Sequence, residues 1–254
     1  MKPKSIALVN QKGGVGKTTT AVNLAWQLAD NGFSTLLVDL DPQANATSGL
    51  GFEKTLPKNV YEVIVNGKDA NHAIQGTPLD NLFLLPSNAD LSGAEVELVS
   101  REQREFLLKN SLAELGFDII VIDCPPSLGL LTINALTAAS YIITPVQAEY
   151  YALEGLGQLM GTVQAIKEST NPGLNVLGVL LTMYDKRNSL SSQVLKEISE
   201  YFGDQVFESY IPRNIRLAEA PSFGQTIFTY DRWSKGAKAY KNLAKEVADR
   251  LSAA

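Results

Sequence analysis

Short, almost uninterrupted apolar runs alternate with longer stretches of mixed polarity along most of this chain. The apolar runs are Ser5–Val9, Thr35–Asp39, Leu82–Leu85, Ile119–Asp123, Tyr141–Thr144 and Val176–Leu181. Their brevity and continuity predict strands covered on both faces, as in a parallel sheet flanked by helices. Between them, Thr18–Asn31, Arg101–Leu115, Leu153–Glu168 and Ser191–Phe202 read as amphipathic helices. The alternation implies an α/β fold, a doubly wound, mostly parallel sheet with helices on both faces and right-handed crossovers. Ligands of such sheets bind at the carboxyl ends of the strands. The turn-rich stretch from Gly49 to Gly76 reads as an insertion with a short helix near Val60–Val65, too short for a core of its own. A last helix, about Ser234–Leu251, places Leu243, Val247 and Leu251 at i, i+4 and i+8 on one face. With no repeat and no linker, residues 1–254 are expected to form a single domain.

Composition narrows the chemistry. The 254 residues hold one histidine, His72, and one cysteine, Cys124. That excludes a disulfide framework and the usual histidine-based triads and zinc sites. Cys124 reads as a small packed residue, with no base in view to activate it. No apolar run approaches the roughly 18 residues of a membrane span, and the N-terminus lacks the apolar core of a signal peptide. A soluble, cytoplasmic protein without a membrane partner is the expectation.

The strongest chemical signal follows the first strand, where Gln11-Lys12-Gly13-Gly14-Val15-Gly16-Lys17-Thr18-Thr19 opens a helix. A strand, a glycine-rich turn and a Lys-Thr pair at a helix start make a cradle for nucleotide phosphates. The glycines let successive N–H groups converge on phosphate oxygens, and the helix adds its positive end. Lys17 can reach the β- and γ-phosphates of ATP, and the Thr18 hydroxyl can ligate Mg²⁺. Two further strands end in carboxylates. Asp39 and Asp41, at i and i+2 before Pro42, point together towards the ligand edge. Asp123 ends Ile120-Val121-Ile122 and precedes Cys124-Pro125-Pro126-Ser127-Leu128-Gly129. An aspartate there is the Walker B arrangement, which holds Mg²⁺, and the loop after it can sense a γ-phosphate.

The standard phosphate-loop pattern has glycine at position 11, where this chain has Gln11 followed by Lys12. Asn10–Thr20, with its KGGVGKTT string, is a deviant Walker A motif and closely resembles that of the ParA/Soj partition ATPases. This group also includes MinD and the nitrogenase iron protein. The VDxDPQGNATSGLG pattern of that family is matched except that Ala44 stands for glycine. Further similarity runs through Gly129–Thr137, Pro145–Gly155 and Ile211–Ser222, and so over most of the chain. The resemblance implies a P-loop NTPase in which Lys12 crosses an ATP-bound homodimer to the partner's nucleotide. It also implies that Asp41 positions the attacking water and that Asp39 joins the Mg²⁺ network. Gly13, Gly14, Val15, Gly16 and Thr19 complete the phosphate cradle, while Thr182, Met183, Pro212, Arg213 and Asn214 flank the adenine.

Charge bears on the partner. The net charge is −5, which does not advertise a nucleic-acid binder. The surplus is uneven, however: residues 1–182 carry net −7 and residues 183–254 net +2. The one basic block, Ile211–Lys245, includes Arg213, Arg216, Arg232, Lys235, Lys238, Lys241 and Lys245. By resemblance, Arg187 and Arg216 support non-specific binding of double-stranded DNA, with Lys235 and Lys238 beside them. No helix-turn-helix is evident, which fits phosphate rather than base contacts, and the N-terminus is too short for an added DNA-reading domain. The resemblance thus implies a weak, nucleoid-associated ATPase stimulated by a ParB-like partner, segregating a chromosome, a plasmid or another cargo. Rival readings are a MinD-like membrane-cycling ATPase, a positioning ATPase for a non-DNA cargo, and an ATP-dependent synthetase of the dethiobiotin kind. The tail Val247–Ala254 lacks the bulky amphipathic anchor that the first rival needs.

Overall fold

The structure is a computed structural model that describes residues 3–149 and 152–253. Seven strands form one sheet: β1 (Lys4–Leu8), β2 (Thr35–Asp39), β3 (Gln75–Gly76), β4 (Leu82–Leu85), β5 (Ile119–Asp123), β6 (Tyr141–Gln147) and β7 (Asn175–Thr182). Their spatial order is β3-β4-β2-β5-β1-β6-β7. All pairs are parallel except β3 with β4. The helices are α1 (Lys17–Asp30), α2 (Asn45–Gly49), α3 (Val60–Ile64), α4 (Leu91–Glu97), α5 (Leu107–Leu112), α6 (Leu130–Ala138), α7 (Ala152–Ser169), α8 (Ser189–Phe202), α9 (Ile215–Glu219), α10 (Ile227–Tyr230) and α11 (Lys235–Ala253).

The continuous apolar runs are explained by period-two alternation between two covered faces. On β1, Ile6 and Leu8 face one side with Leu37, Val121 and Ile143, packing against Leu24 and Leu28 of α1 and Leu243 and Val247 of α11. Ala7 faces the other with Val38, Ile120 and Ile122, against Val63 of α3, Leu108 of α5, Leu131 of α6 and Leu159 of α7. A third cluster joins Val146 and Leu181 to Val194, Ile198 and Phe202 of α8. The predicted strands and the α1, α7, α8 and α11 helices are all present, with ends moved by a few residues.

The pattern reading did not predict β3 or the helices α2, α4, α6, α9 and α10, and two elements that it did predict differ in extent. The helix expected over Arg101–Leu115 is broken: Gln103 is left-handed (φ 52°), Arg104–Phe106 form a 3₁₀ turn, and only Leu107–Leu112 are α-helical. Leu108, Leu112 and Leu115 still face the core, so the periodicity was real but the backbone was not continuous. Helix α6 was missed because LLTINALTA is apolar almost all round and carries no polar stripe. Strand β6 runs through Pro145 to Gln147 rather than stopping at Thr144. Its β1 partners end at Ile143, so the missing Pro145 N–H breaks no bond on that side.

Candidate functional site

The carboxyl edge of the central strands gathers the predicted residues. The phosphate loop leaves β1 with Gly14 (φ 75°) and Gly16 (φ 91°) in the left-handed region, where a side chain would be strained. Asn10 braces it: the side-chain amide donates to the Pro145 carbonyl (2.8 Å), and Oδ1 accepts from the Lys12 N–H (2.9 Å). Thr182, at the end of β7, donates to the Val15 carbonyl at 2.7 Å. No side chain caps α1, so its first N–H groups face a ligand uncompeted. Lys17 is buried, and its ammonium donates to the Lys12 carbonyl (3.0 Å), which folds it back over the loop. Burial lowers its pKa, and the charges of Asp123, Cys124 and Asp41 work against that.

Adjacent strands β2 and β5 place Asp39 and Asp123 in register at the same edge, both fully buried. Asp39 is held: Oδ2 accepts from the Thr47 N–H and the Thr47 hydroxyl, both at 2.7 Å, and Oδ1 from the Asp41 N–H at 3.2 Å. Thr47 Oγ1 in turn accepts from the Ser87 N–H at 3.0 Å. Burial first, and then the Asp41 charge, still push the Asp39 carboxyl up to about 6, against the bonds from Thr47 and Asp41. Asp123 has no such support, since neither carboxylate oxygen finds a hydrogen-bond partner of good geometry. Burial and the Asp39 charge raise its pKa well above the carboxylate range, opposed by the neighbouring Thr18 hydroxyl and by Lys17. A buried, unpartnered carboxylate beside a second one and a threonine hydroxyl is a donor set that a hard divalent cation would satisfy. Among the described residues no group of three or more His, Cys, Asp or Glu side chains could hold a metal. A cation here would therefore need oxygens from a ligand or from water.

Asp41, mostly buried, follows one turn outward, where its Oδ1 accepts from the Gln43 N–H (2.9 Å). Ala44, where the family pattern has glycine, keeps the left-handed conformation (φ 50°). Lys12 pairs with a residue outside the loop, its ammonium 2.5 Å from Glu149 Oε2, with both side chains about half exposed. The Pro145–Gly155 stretch that continues from there includes Tyr150 and Tyr151, which lie outside the described residues. Cys124 is buried and its thiol is pushed well up by burial and then by Asp123, as expected of a packed and unreactive residue.

Beside the loop opens a mostly apolar cavity of about 420 Å³, lined by Gly16, Thr19, Thr182, Met183, Ile211, Pro212, Arg213, Asn214 and Tyr240 among others. The five residues expected around a base, Thr182, Met183, Pro212, Arg213 and Asn214, thus line one cavity from two segments about 30 residues apart in sequence. Met183 is left-handed (φ 51°), a strained conformation for a non-glycine residue, at the rim of this cavity.

The two arginines expected to meet DNA are already engaged with carboxylates. Arg187 is paired with Asp185 (2.9 Å), which holds the Asp185 carboxyl down at about 2. Arg216 is paired with Glu219 (2.9 Å) and lies 3.6 Å from Asp231. Both guanidinium groups are thus partly neutralised by neighbours. Lys235 and Lys238 are exposed on α11 and line, with Lys245, a groove of about 680 Å³.

Thr47, Ser87 and Glu149 support the site although no motif of the sequence marks those roles. Thr47 stands eight residues beyond Asp39, inside the NATSG stretch, and a hydroxyl in such a loop was the one available cue.

Residues 3–176 match the family model described as AAA domain. The chain is 54% identical over 248 residues to the sporulation initiation inhibitor protein Soj of Bacillus subtilis, covering 96% of this chain and 98% of that protein. It is 50% identical over 248 residues to the chromosome partitioning protein ParA of Myxococcus xanthus, covering 96% and 88%. Among solved structures, it is similar to cobyrinic acid a,c-diamide synthase from Mycobacterium smegmatis with bound ADP and magnesium. That match has a TM-score of 0.86 and 40% identity, covering 98% of this chain and 96% of that one. A plasmid partition protein from Borrelia burgdorferi superposes with a TM-score of 0.80 at 28% identity, covering 98% and 100%. Among the described residues, no helix is long and apolar enough to cross a membrane.

Proposed function

This chain belongs to the Soj/ParA family of chromosome-partitioning P-loop ATPases, and we propose that it cycles on and off DNA as ATP is bound and hydrolysed. ATP with Mg²⁺ occupies the phosphate loop, two copies close on their nucleotides, and the dimer holds DNA without reading its sequence. A ParB-like partner then stimulates hydrolysis and release, in the cytoplasm on the nucleoid. The observation that carries the reading is the unpartnered Asp123 carboxylate beside Asp39 and Thr18, under a buried Lys17.

In this reading Lys17 and the loop N–H groups from Gly13 to Thr19 hold the phosphates, and Thr18 and Asp123 hold the cation, with Asp39 behind them. The bound ion supplies positive charge to the β- and γ-phosphates. Asp41 orients the attacking water, since hydrolysis at such a site is mainly positioning and electrostatics. Lys12 reaches the partner's nucleotide and exchanges Glu149 for it, a surface ion pair worth little to break. Adenine fills the cavity between Met183 and Pro212–Asn214. Arg187, Arg216, Lys235 and Lys238 contact DNA phosphates, and their neighbouring carboxylates with the net −5 keep the grip weak and salt-sensitive.

The test is DNA retention as a function of nucleotide. Wild type should retain DNA only with ATP, and Lys17→Ala should not retain it at all. Asp41→Ala should bind ATP without hydrolysing it and accumulate as a DNA-bound dimer. Full ATPase activity in Asp41→Ala would remove that residue from its role, and nucleotide-independent retention would overturn the cycle.

A further inference from the structure

After α8 the chain returns along β7 as the segment 205–214 and ends in the Pro212–Asn214 wall of the 420 Å³ cavity. This segment is not a full strand. Two backbone bonds tie it to β7, Phe207 N–H to the Val179 carbonyl (3.0 Å) and Ile211 N–H to the Leu181 carbonyl (2.8 Å), and a third runs from the Tyr184 N–H, just past β7, to the Ile211 carbonyl (3.0 Å). Between Phe207 and Ile211 it is held from outside. Glu246, in the last turns of α11, accepts from the Glu208 N–H through Oε1 and from the Ser209 N–H through Oε2, both at 2.9 Å. Arg250, one turn further, donates to the carbonyls of Leu177 (2.9 Å) and Val206 (2.8 Å) and to Glu246 Oε1 (2.9 Å). Its guanidinium lies 4.2 Å from the Phe207 ring centre. Both side chains are mostly buried, 18% and 22% exposed, so this pair is screened far less than a surface one. Gly178 admits the close approach: a Cβ there would meet the Phe207 ring at 2.5 Å.

We infer that Glu246 and Arg250 are positioning residues that set the affinity of the neighbouring cavity for an adenine nucleotide without touching it. Neither lines that cavity. Glu246 lies instead in the 680 Å³ groove on the far side, and Pro212 is a wall of both. Apart from their own ion pair and the Arg250 bond to the Leu177 carbonyl of β7, the contacts of the α11 pair described above are to the 206–209 backbone that leads into Pro212, or to the ring of Phe207 five residues before it. Releasing the clamp therefore moves the base wall while leaving the phosphate loop, Lys17 and Asp123 on their own supports. The inference rests on the nucleotide reading proposed above.

The experiment measures the Kd for ADP with Mg²⁺ by calorimetry, and kcat and KM for ATP, on wild type, Glu246→Ala, Glu246→Gln and Arg250→Lys. Binding lost equally from ground and transition state raises KM and spares kcat, so Glu246→Ala should raise both Kd and KM roughly tenfold with kcat within about twofold. Glu246→Gln keeps one acceptor oxygen and should fall between alanine and wild type. Arg250→Lys should also raise KM, because an ammonium cannot reproduce the fork. General destabilisation would instead lower the folded fraction and kcat together, with KM unmoved, and that result overturns the inference. So does an unchanged ADP affinity in folded Glu246→Ala or, if that variant does not fold, in Glu246→Gln and Arg250→Lys. Failure of wild type to bind ADP strikes the nucleotide reading itself, not the clamp alone.

Discussion

Replacing Asp123 by asparagine should stabilise the nucleotide-free protein while abolishing its response to Mg-nucleotide. Asp39 supplies the scale. Although it accepts three hydrogen bonds, burial lifts its carboxyl from 3.8 to about 6. That rise corresponds to about 3 kcal/mol of preference for the protonated form. Asp123 sits at the same edge, equally buried, beside that charge and without a single good donor. Burial and the Asp39 charge therefore penalise its charged form in the same direction. A carboxyl whose pKa is raised on folding costs nothing below its unfolded pKa, near 4, and costs more as pH rises above that. Asparagine removes the charge but leaves a buried amide that forfeits about 1–3 kcal/mol. The protonated acid at pH 4 is an equally unsatisfied neutral group, so the variant should match wild type there and exceed it by about 1–3 kcal/mol at pH 8, the order of the cost of leaving a buried polar group unsatisfied. Urea unfolding in EDTA from pH 4 to 8, with m unchanged, reads this difference. Equal or lower stability of Asp123→Asn at pH 8, or a difference independent of pH, would refute the reasoning. Added Mg-ADP should raise the midpoint of wild type and leave the variant where it was.

Other perturbations test the supports of the site. Thr47→Val removes the hydroxyl that donates to Asp39 and accepts from the Ser87 N–H, and should cost about 3 kcal/mol in urea, whereas Thr47→Ser keeps both bonds and should cost about 1 kcal/mol. A valine variant within 0.5 kcal/mol of wild type, roughly the scatter of a neutral substitution, would exclude that network as a support. Gly178→Ala drives a methyl into the Phe207 ring and the Gln205 carbonyl. It should lose about 1–3 kcal/mol of stability and weaken ADP binding with it. Cys124, buried with its thiol pushed up, should resist thiol reagents at pH 8 until the chain unfolds in denaturant. Rapid labelling of the folded protein would contradict its placement.

Much of the site was legible because its chemistry is local. Lys17, Thr18 and the glycines follow one strand without interruption, and Asp39 and Asp41 are two residues apart, so spacing and residue type suffice. Asp123 was legible only through the apolar run before it. That it pairs in register with Asp39 is a property of strand order, in which β5 comes between β1 and β2. Lys12 was recognised as a second loop lysine, yet its engagement with Glu149, 137 positions away, has no sequence signal. The arginines expected at DNA show the same limit: their identity was readable, their pairing to Asp185, Glu219 and Asp231 was not.

What the amino-acid sequence by itself determined is the strand-and-helix alternation, the covered sheet and the phosphate loop with its carboxylates. Hydrophobic period, glycine freedom and the fixed geometry of a strand end act over a few residues and leave their mark in order. Tertiary structure alone decided which carboxylate is held and which is left without a donor. It also decided that a segment 30 residues after β7 closes a cavity beside Gly16, and that Glu246 and Arg250 pin it there. Those outcomes depend on desolvation and on contacts between distant parts of the chain, and both exist only once the layers have packed.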